Sequence, residues 1–139
     1  MKIMNKKPKK LTSKELQNKI WIECRRVANL RYKNKKGGFD CYTCGANGLF
    51  GVNKQLGHMI PKSYCKPFMK YDMRNLRFQC MRCNVHMGGM GALFIERMRG
   101  VDGDMYVAEI LNDLQVQMDV KDIYKYYQDQ LEFLKLIVK

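Results

Sequence analysis

The stretch QCMRCNVH, residues 79–86, contains a C-x-x-C pair that runs directly into an asparagine and a histidine. A second C-x-x-C pair, Cys41 and Cys44, lies upstream. Two such pairs supply the four thiolates of a closed tetrahedral zinc site. Disulfides are not expected, because no secretory signal precedes the cysteines and the cytosol keeps thiols reduced. We therefore predict that a structural Zn²⁺ is bound by Cys41, Cys44, Cys80 and Cys83.

On the N-terminal side of this stretch, the pattern predicts two short strands separated by a loop. One strand lies in VNKQLGHMIPKS (52–63), where Pro61 ends it, and the other lies in NLRFQC (75–80). The intervening SYCKPFMKYDMR (63–74) is expected to be loop, with Cys65 as a loop thiol.

Helices are predicted on both sides of this strand region. Thr12-Ser-Lys-Glu15 is a capping box, so a helix is expected to run from there to about Leu30, with Cys24 buried on its apolar stripe. A further helix is expected to begin near Asn84 and to end at Gly100, although three glycines weaken its first turns.

The tail predicts two more helices. Asp104 can cap the first, and Asp119 with Asp122 can cap the second, which spans residues 123–138. The second helix carries an apolar stripe that either packs on the domain's own core or forms a dimer seam. The stripe consists of Ile123, Tyr127, Leu131, Leu134 and Val138.

Charge is distributed unevenly over the 139 residues, whose formal net charge is +13. Residues 1–36 carry 13 Lys and Arg against two acids, whereas residues 101–139 carry eight acids against four lysines. This asymmetry favours a polyanionic partner on one side, although a solvated tail explains the lysine cluster equally well. No run of eighteen apolar residues occurs, so we expect no contact with a membrane interior and a cytoplasmic location.

The order of these elements resembles the ββα-metal (HNH) nuclease fold, in the subset stabilised by a four-cysteine zinc. The matching stretches are GHMIPKS (57–63) and NLRFQCMRCN (75–84). A narrower resemblance is to the NinG/Rap family of phage recombination endonucleases. Its signature is similar to the C-x-x-C at 41–44, QLGH at 55–58 and QCMRCNVHMGG at 79–89.

The resemblance implies an α+β protein with a small ββα-metal core and two zinc knuckles, flanked by N- and C-terminal helices. It covers the middle of the chain and leaves one globular unit overall. The expected parts are a basic arm and helix (1–36), a nuclease core (37–100) and C-terminal helices for packing or dimerisation (101–139).

The resemblance also implies roles for three side chains. Cleaving a phosphodiester requires an activated water and neutralised phosphate charge, which a histidine and a divalent cation such as Mg²⁺ or Mn²⁺ supply. His58 is then the general base, Asn75 orients the loop that carries it, and Asn84 gives an amide oxygen to the cation. Ordinary structural roles remain open for each, such as helix capping by Asn84.

One position departs from the family pattern. HNH sites usually carry Asp or His immediately before the base, where this chain has Gly57. The missing ligand is expected to come from His86, Gln55 or Asp72. We favour His86 as a catalytic metal ligand. The alternatives for that side chain are a phosphate contact and a role as a spare zinc ligand.

The implied function is structure-selective cleavage of branched DNA, such as Holliday junctions and displacement loops, in phage homologous recombination. The alternative is a non-catalytic zinc module that binds branched or single-stranded DNA and assists a recombinase. Expected partners are branched DNA, phage or host recombination proteins and a second copy of the chain, in the host cytoplasm. Phosphate contacts are expected from Arg25, Arg26, Lys33, Lys35, Lys36, Lys62, Arg74, Arg77 and Arg82.

Overall fold

The computed structural model describes residues 7–65, 67–115 and 123–138. Over these ranges the chain is an α+β protein with five α-helices and one two-stranded antiparallel sheet, which confirms the predicted class. No helix among the described residues is long and apolar enough to cross a membrane. The helices are α1 (Ser13–Arg31), α2 (Pro67–Lys70), α3 (Gly91–Asp102), α4 (Asp104–Gln115) and α5 (Ile123–Lys135), and the strands are β1 (Gln55–His58) and β2 (Leu76–Gln79).

Helix α1 begins where the capping box predicts. The Thr12 hydroxyl accepts a hydrogen bond from the backbone N–H of Glu15 at 3.1 Å, which satisfies one of the free donors of the first turn. The apolar stripe faces the main core, and Cys24 is fully buried within it. The Cys24 thiol is therefore a packing group, as predicted.

Helix α5 packs along α1, so the apolar stripe of the tail is used within the chain. Tyr127, Leu131 and Leu134 are buried, whereas the predicted ends of the stripe, Ile123 and Val138, are exposed. Val138 lies beyond the end of the helix, so it has left the packed face. The structure therefore supports packing over a dimer seam for this stripe. The predicted caps at Asp119 and Asp122 lie outside the described residues.

A side chain from α1 fixes the end of α5. The Arg26 guanidinium donates to the carbonyls of Leu134 and Ile137 at 2.7 and 2.8 Å. Carbonyls at the end of a helix lack the N–H partners of a following turn, so side chains often satisfy them. The Leu134 carbonyl also accepts from the backbone N–H of Ile137 at 3.1 Å. The first and last helices are thereby joined by hydrogen bonds as well as by apolar contact.

The two strands form an antiparallel ladder in which Gln55 pairs with Gln79 and Gly57 pairs with Arg77. Each strand has only four residues, so the ladder is shorter than the predicted segments. The segment between the strands is less irregular than expected, because it contains α2 and two 3₁₀ turns. It leaves the sheet after His58 and returns to it before β2.

The predicted helix from Asn84 to Gly100 is wrong at its start. Residues 82–86 form a π-helical turn, residues 87–90 interrupt the helix, and α3 begins only at Gly91. The interruption arises because three consecutive residues, Gly88, Gly89 and Met90, have positive φ angles, which no right-handed helix allows. π-helical turns of this kind occur often at functional sites.

Helices α3 and α4 cover a second, smaller core. Asp104 is the first residue of α4 rather than its cap. The buried side chains of this core are Met59, Met69, Phe94, Met98, Val107 and Ile110. Because Met59 follows β1 directly, the second core holds the segment that leaves the sheet after His58.

Candidate functional site

The four predicted zinc ligands converge in the structure. Their sulfur atoms all lie within 4.8 Å of one another, and the Sγ atoms of Cys44 and Cys80 are 3.8 Å apart. A tetrahedral zinc with Zn–S bonds of about 2.3 Å requires sulfur separations of about 3.8 Å. Cys41, Cys80 and Cys83 are buried and Cys44 is exposed. The cluster could therefore hold one structural zinc ion, as predicted.

The thiols of this cluster have unequal acidities. Burial raises the pKa of Cys83 to about 12. Burial also acts on Cys41, but its pKa is lowered to about 6 because the backbone N–H of Cys44 and the hydroxyl of Thr43 donate to its sulfur. Zinc binds thiolates, so loading the site displaces protons from the cluster.

His58 ends β1 in a defined orientation. Its ring stacks on that of Trp21, with centroids 5.6 Å apart and 9° between the planes. Its Nε2 lies 2.8 Å from the backbone carbonyl of Lys70. A carbonyl only accepts hydrogen bonds, so Nε2 carries the proton and Nδ1 is left with a free lone pair.

The surroundings of His58 favour the neutral ring. Burial lowers its pKa from the ordinary value near 6.5, and the positive charges of Lys62 and Lys70 act in the same direction. The hydrogen bond to the Lys70 carbonyl opposes this shift only in part. His58 is therefore able to accept a proton at neutral pH.

Asn75 is fully buried and ties together the loop that follows His58. Its Oδ1 accepts from the backbone N–H of Ile60 at 2.8 Å, and its Nδ2 donates to the carbonyl of Met69 at 3.2 Å. Met69 directly precedes Lys70, whose carbonyl holds the His58 ring. Asn75 thus connects the two ends of the loop, a placement that suits the predicted orienting role.

Asn84 lies in the π-helical turn immediately after the last zinc ligand. Its Nδ2 donates to Oε1 of Gln55 at 2.8 Å, and its oxygen is not used to cap the turn. Asn84 and His58 line the same cleft of about 360 Å³, together with Trp21 and Lys62. The structure therefore brings together the predicted base and the predicted amide ligand.

The three side chains proposed to replace a ligand at Gly57 lie elsewhere or are engaged. His86 is exposed and is not among the residues that line the cleft. Asp72 forms an ion pair with Arg74 at 2.7 Å and caps the turn before β2. The oxygen of Gln55 already accepts from Asn84. The preference for His86 therefore has no support in its position.

Three of the predicted phosphate contacts need correction. Arg77 is 7% exposed, and its guanidinium donates to the Tyr32 hydroxyl and to backbone carbonyls. Arg74 is paired with Asp72 and Asp113, and Arg26 is committed to the end of α5. Sequence alone shows their charge but not these partners. The remaining six predicted residues are exposed: Arg25, Lys33, Lys35, Lys36, Lys62 and Arg82.

Trp21 is the site residue that the sequence pattern did not reveal. It is half-buried on α1 and covers one face of the His58 ring. Its being the only tryptophan of the chain was the available signal. The residues around position 21 do not indicate that β1 packs against α1 with His58 in contact with Trp21.

Comparison with protein-family models, with curated proteins and with solved structures found no match. The family resemblance drawn from the sequence pattern therefore stays a prediction. The function has to be argued from the geometry of the cleft and from the charge around it.

Proposed function

We propose that the protein is a zinc-stabilised, metal-dependent HNH-type endonuclease that cuts branched DNA. One observation carries the proposal: the His58 ring is held by the Lys70 carbonyl at Nε2 and keeps Nδ1 free, in a cleft that Asn84 also lines. General-base hydrolysis of a phosphodiester requires a neutral imidazole within reach of the attacking water, and a cleft gives that water a place beside the ring.

The chain's own residues divide the work in this proposal. His58 takes a proton from water at Nδ1, while Trp21 and the loop tied by Asn75 keep the ring in place. Asn84 offers a hard amide oxygen of the kind that Mg²⁺ and Mn²⁺ prefer. A bound divalent cation would neutralise charge on the scissile phosphate and on the leaving oxygen.

Exposed basic side chains around the cleft would hold the DNA backbone. Lys62 lines the cleft itself, and Arg25 borders an adjoining hollow with Asn84 and Gln55. Lys33, Lys35 and Lys36 extend the charge along the connector that follows α1. Contacts of this kind position DNA without reading its bases, so they suit recognition of branch shape.

A DNA-binding module without catalysis is the second candidate. The observation in its favour is Gly57, which gives no side chain at the position where HNH sites carry a metal ligand. Such a module would use the same basic surface and the same zinc cluster. The two candidates differ only in what happens to bound DNA.

The deciding experiment is cleavage of labelled four-way junction, flap and linear duplex by the purified protein. We expect the branched substrates to be cut in Mg²⁺ or Mn²⁺ and to stay intact when no divalent cation is added to the zinc-loaded protein, while zinc content and circular dichroism are unchanged. Tight junction binding with no cut strand in either metal would reject the nuclease and support the binding module.

The electrostatic contribution to binding can be tested separately from cleavage. If several phosphates are neutralised, the association constant should fall by about 10³ or more between 50 and 200 mM salt. Replacing Lys33, Lys35 and Lys36 together by glutamine should weaken binding to every DNA tested and flatten this dependence. Fluorescence anisotropy of the zinc-loaded protein without added Mg²⁺ or Mn²⁺ measures both effects without cleavage.

The control removes two positive charges from helix α5. Lys125 and Lys135 lie on α5, where each forms an ion pair with a neighbouring carboxylate. Replacing both by glutamine should leave the affinity for DNA and its salt dependence close to those of the unmodified protein. An equal loss in both variants would show that net charge matters and that the connector does not.

A further inference from the structure

The position that a Gly57 side chain would occupy is filled by the side chain of Gln79. A Cβ atom built on Gly57 would lie 1.9 Å from Oε1 of Gln79 and 3.0 Å from Oδ1 of Asn84. Gln79 reaches this point because Gly57 pairs with Arg77, which makes Gln79 its diagonal neighbour in the ladder. Gly57 is not among the glycines with positive φ, so contact with Gln79, not backbone conformation, requires a glycine here.

The orientation of the Gln79 amide is fixed by its nitrogen. Nε2 donates to the carbonyl of Gly89 at 2.9 Å and to the hydroxyl of Thr43 at 3.0 Å. Because the Gly89 carbonyl cannot donate, the opposite amide orientation is excluded, and Oε1 must face Gly57. Gln79 is fully buried, and among the described residues its Oε1 has no hydrogen-bond donor. Buried acceptor atoms are nearly always paired with a donor, a water molecule or an ion, so Oε1 indicates a bound group at this position.

The Asn84 amide is fixed in the same way. Its Nδ2 donates to Oε1 of Gln55, and the Nε2 of Gln55 donates to the carbonyl of Val52 at 2.9 Å. This chain of hydrogen bonds turns Oδ1 of Asn84 towards Gly57. The two amide oxygens face the same point and lie within about 5 Å of each other.

We infer that Oε1 of Gln79 and Oδ1 of Asn84 are the protein ligands of the divalent cation. Adjacent ligands of an octahedral Mg²⁺ or Mn²⁺ ion, each at about 2.1 Å, lie about 3 Å apart. Gln79 then supplies, from β2, the oxygen that Gly57 does not supply from β1. The catalytic role of this cation rests on the proposed function, but its binding does not.

Uncharged ligands give this site a distinct behaviour. Neither amide carries a charge. Ligand sets with fewer negative charges bind divalent cations less tightly, so we expect the cation to bind weakly to the protein alone. Water and the phosphate oxygens of bound DNA would fill the remaining positions. Cation affinity should therefore rise when DNA is present.

The direct test uses the unmodified, zinc-loaded protein without DNA. Isotope-labelled protein is titrated with Mn²⁺ while the side-chain amide signals are followed by NMR. The signals of Gln79 and Asn84 should broaden at the lowest Mn²⁺ concentrations, and excess Mg²⁺ should restore them. Gln128, exposed on α5, is the control and should stay sharp. Broadening of the backbone amide signal of His86 in the same spectra, with the Gln79 side chain unaffected, would overturn the inference.

Two variants test the same site by different means. Gln79→Met removes the oxygen, and Gly57→Ala places a methyl group at the point where the two oxygens meet. Each should weaken Mn²⁺ binding by about 10-fold or more, a typical loss for a disturbed metal site. Gly100→Ala is the matched control, because a Cβ there has no neighbour within 4 Å. Mn²⁺ affinity unchanged in both variants would overturn the inference.

The outcomes separate this inference from the proposed function. If both variants bind Mn²⁺ normally while the unmodified protein cuts junctions, Gln79 is not a ligand and the nuclease stands. If Mn²⁺ broadens the Gln79 and Asn84 signals but no DNA is cut, the cation site stands and the nuclease fails. Zinc content and circular dichroism of each variant establish that the fold is retained.

Discussion

His58→Ala is expected to lower the rate of junction cleavage by about 10² to 10⁴, which is the usual contribution of a general base. Zinc content and junction affinity should stay close to those of the unmodified protein, because the ring contributes no zinc ligand and only one wall of the cleft. Single-turnover cleavage of a labelled four-way junction measures the rate. Cleavage by His58→Ala at the unmodified rate would contradict the mechanism.

The other histidine of the chain provides the control. His86 is exposed on the π-helical turn and does not line the cleft, so His86→Ala should cut at nearly the unmodified rate. A loss equal to that of His58→Ala would restore the sequence-based prediction that His86 is a ligand. The comparison changes the same residue type at two positions, 28 residues apart in the chain.

The pH dependence should identify the same group. His58 acts in its neutral form, so cleavage should fall as the pH drops through its pKa. Burial together with Lys62 and Lys70 lowers that pKa, so the midpoint of the decline should lie below the ordinary histidine value near 6.5. A decline that starts well above pH 7 would mean that another group limits the reaction.

Cys83→Ser is expected to remove the zinc and to unfold most of the chain. Structural zinc sites contribute about 10–16 kcal/mol of binding free energy, which is comparable with the 5–15 kcal/mol that stabilises an ordinary domain. The cluster joins the knuckle at Cys41 to the end of β2, so its loss frees both strands. Elemental analysis should give about one zinc per chain in the unmodified protein and none in the variant.

The control for this prediction is a cysteine outside the cluster. Cys65 lies in the loop between the strands, and its thiol donates to the carbonyl of Ile60, which a serine hydroxyl can also do. Cys65→Ser should keep its zinc and its thermal unfolding temperature. A Cys83→Ser protein that folds stably without metal would remove the structural role of the zinc.

Local patterns predicted the features whose causes are local. The capping box placed the start of α1, because a Thr12 hydroxyl and a nearby N–H need no distant partner. The spacing of the four cysteines predicted their convergence, because one zinc ion dictates the geometry of all four ligands. His58 and Asn84 came together because each adjoins an element whose position the cluster sets.

Features set by distant contacts were not predictable in this way. Arg77 has the charge of a surface residue, and only the meeting of β2 with Tyr32 and Asp102 gives its guanidinium partners within the fold. The glycines before α3 were expected to weaken the first turns of a continuous helix, but not to interrupt it at residues 87–90. Gln79 was noted only as part of a motif, since the direction of its amide depends on Thr43 and Gly89.

The hydrogen bonds between Arg26 and the end of α5 have a consequence for biosynthesis. Arg26 and Ile137 are 111 residues apart, so this contact closes nearly the whole chain. Pairings of such long sequence separation form late, because the entropy of loop closure must be overcome first. While the ribosome holds the C-terminal segment, the face of α1 that meets Leu131 and Leu134 stays exposed to water. The nascent chain is therefore prone to aggregation through this face until α5 has left the ribosome and packed against α1.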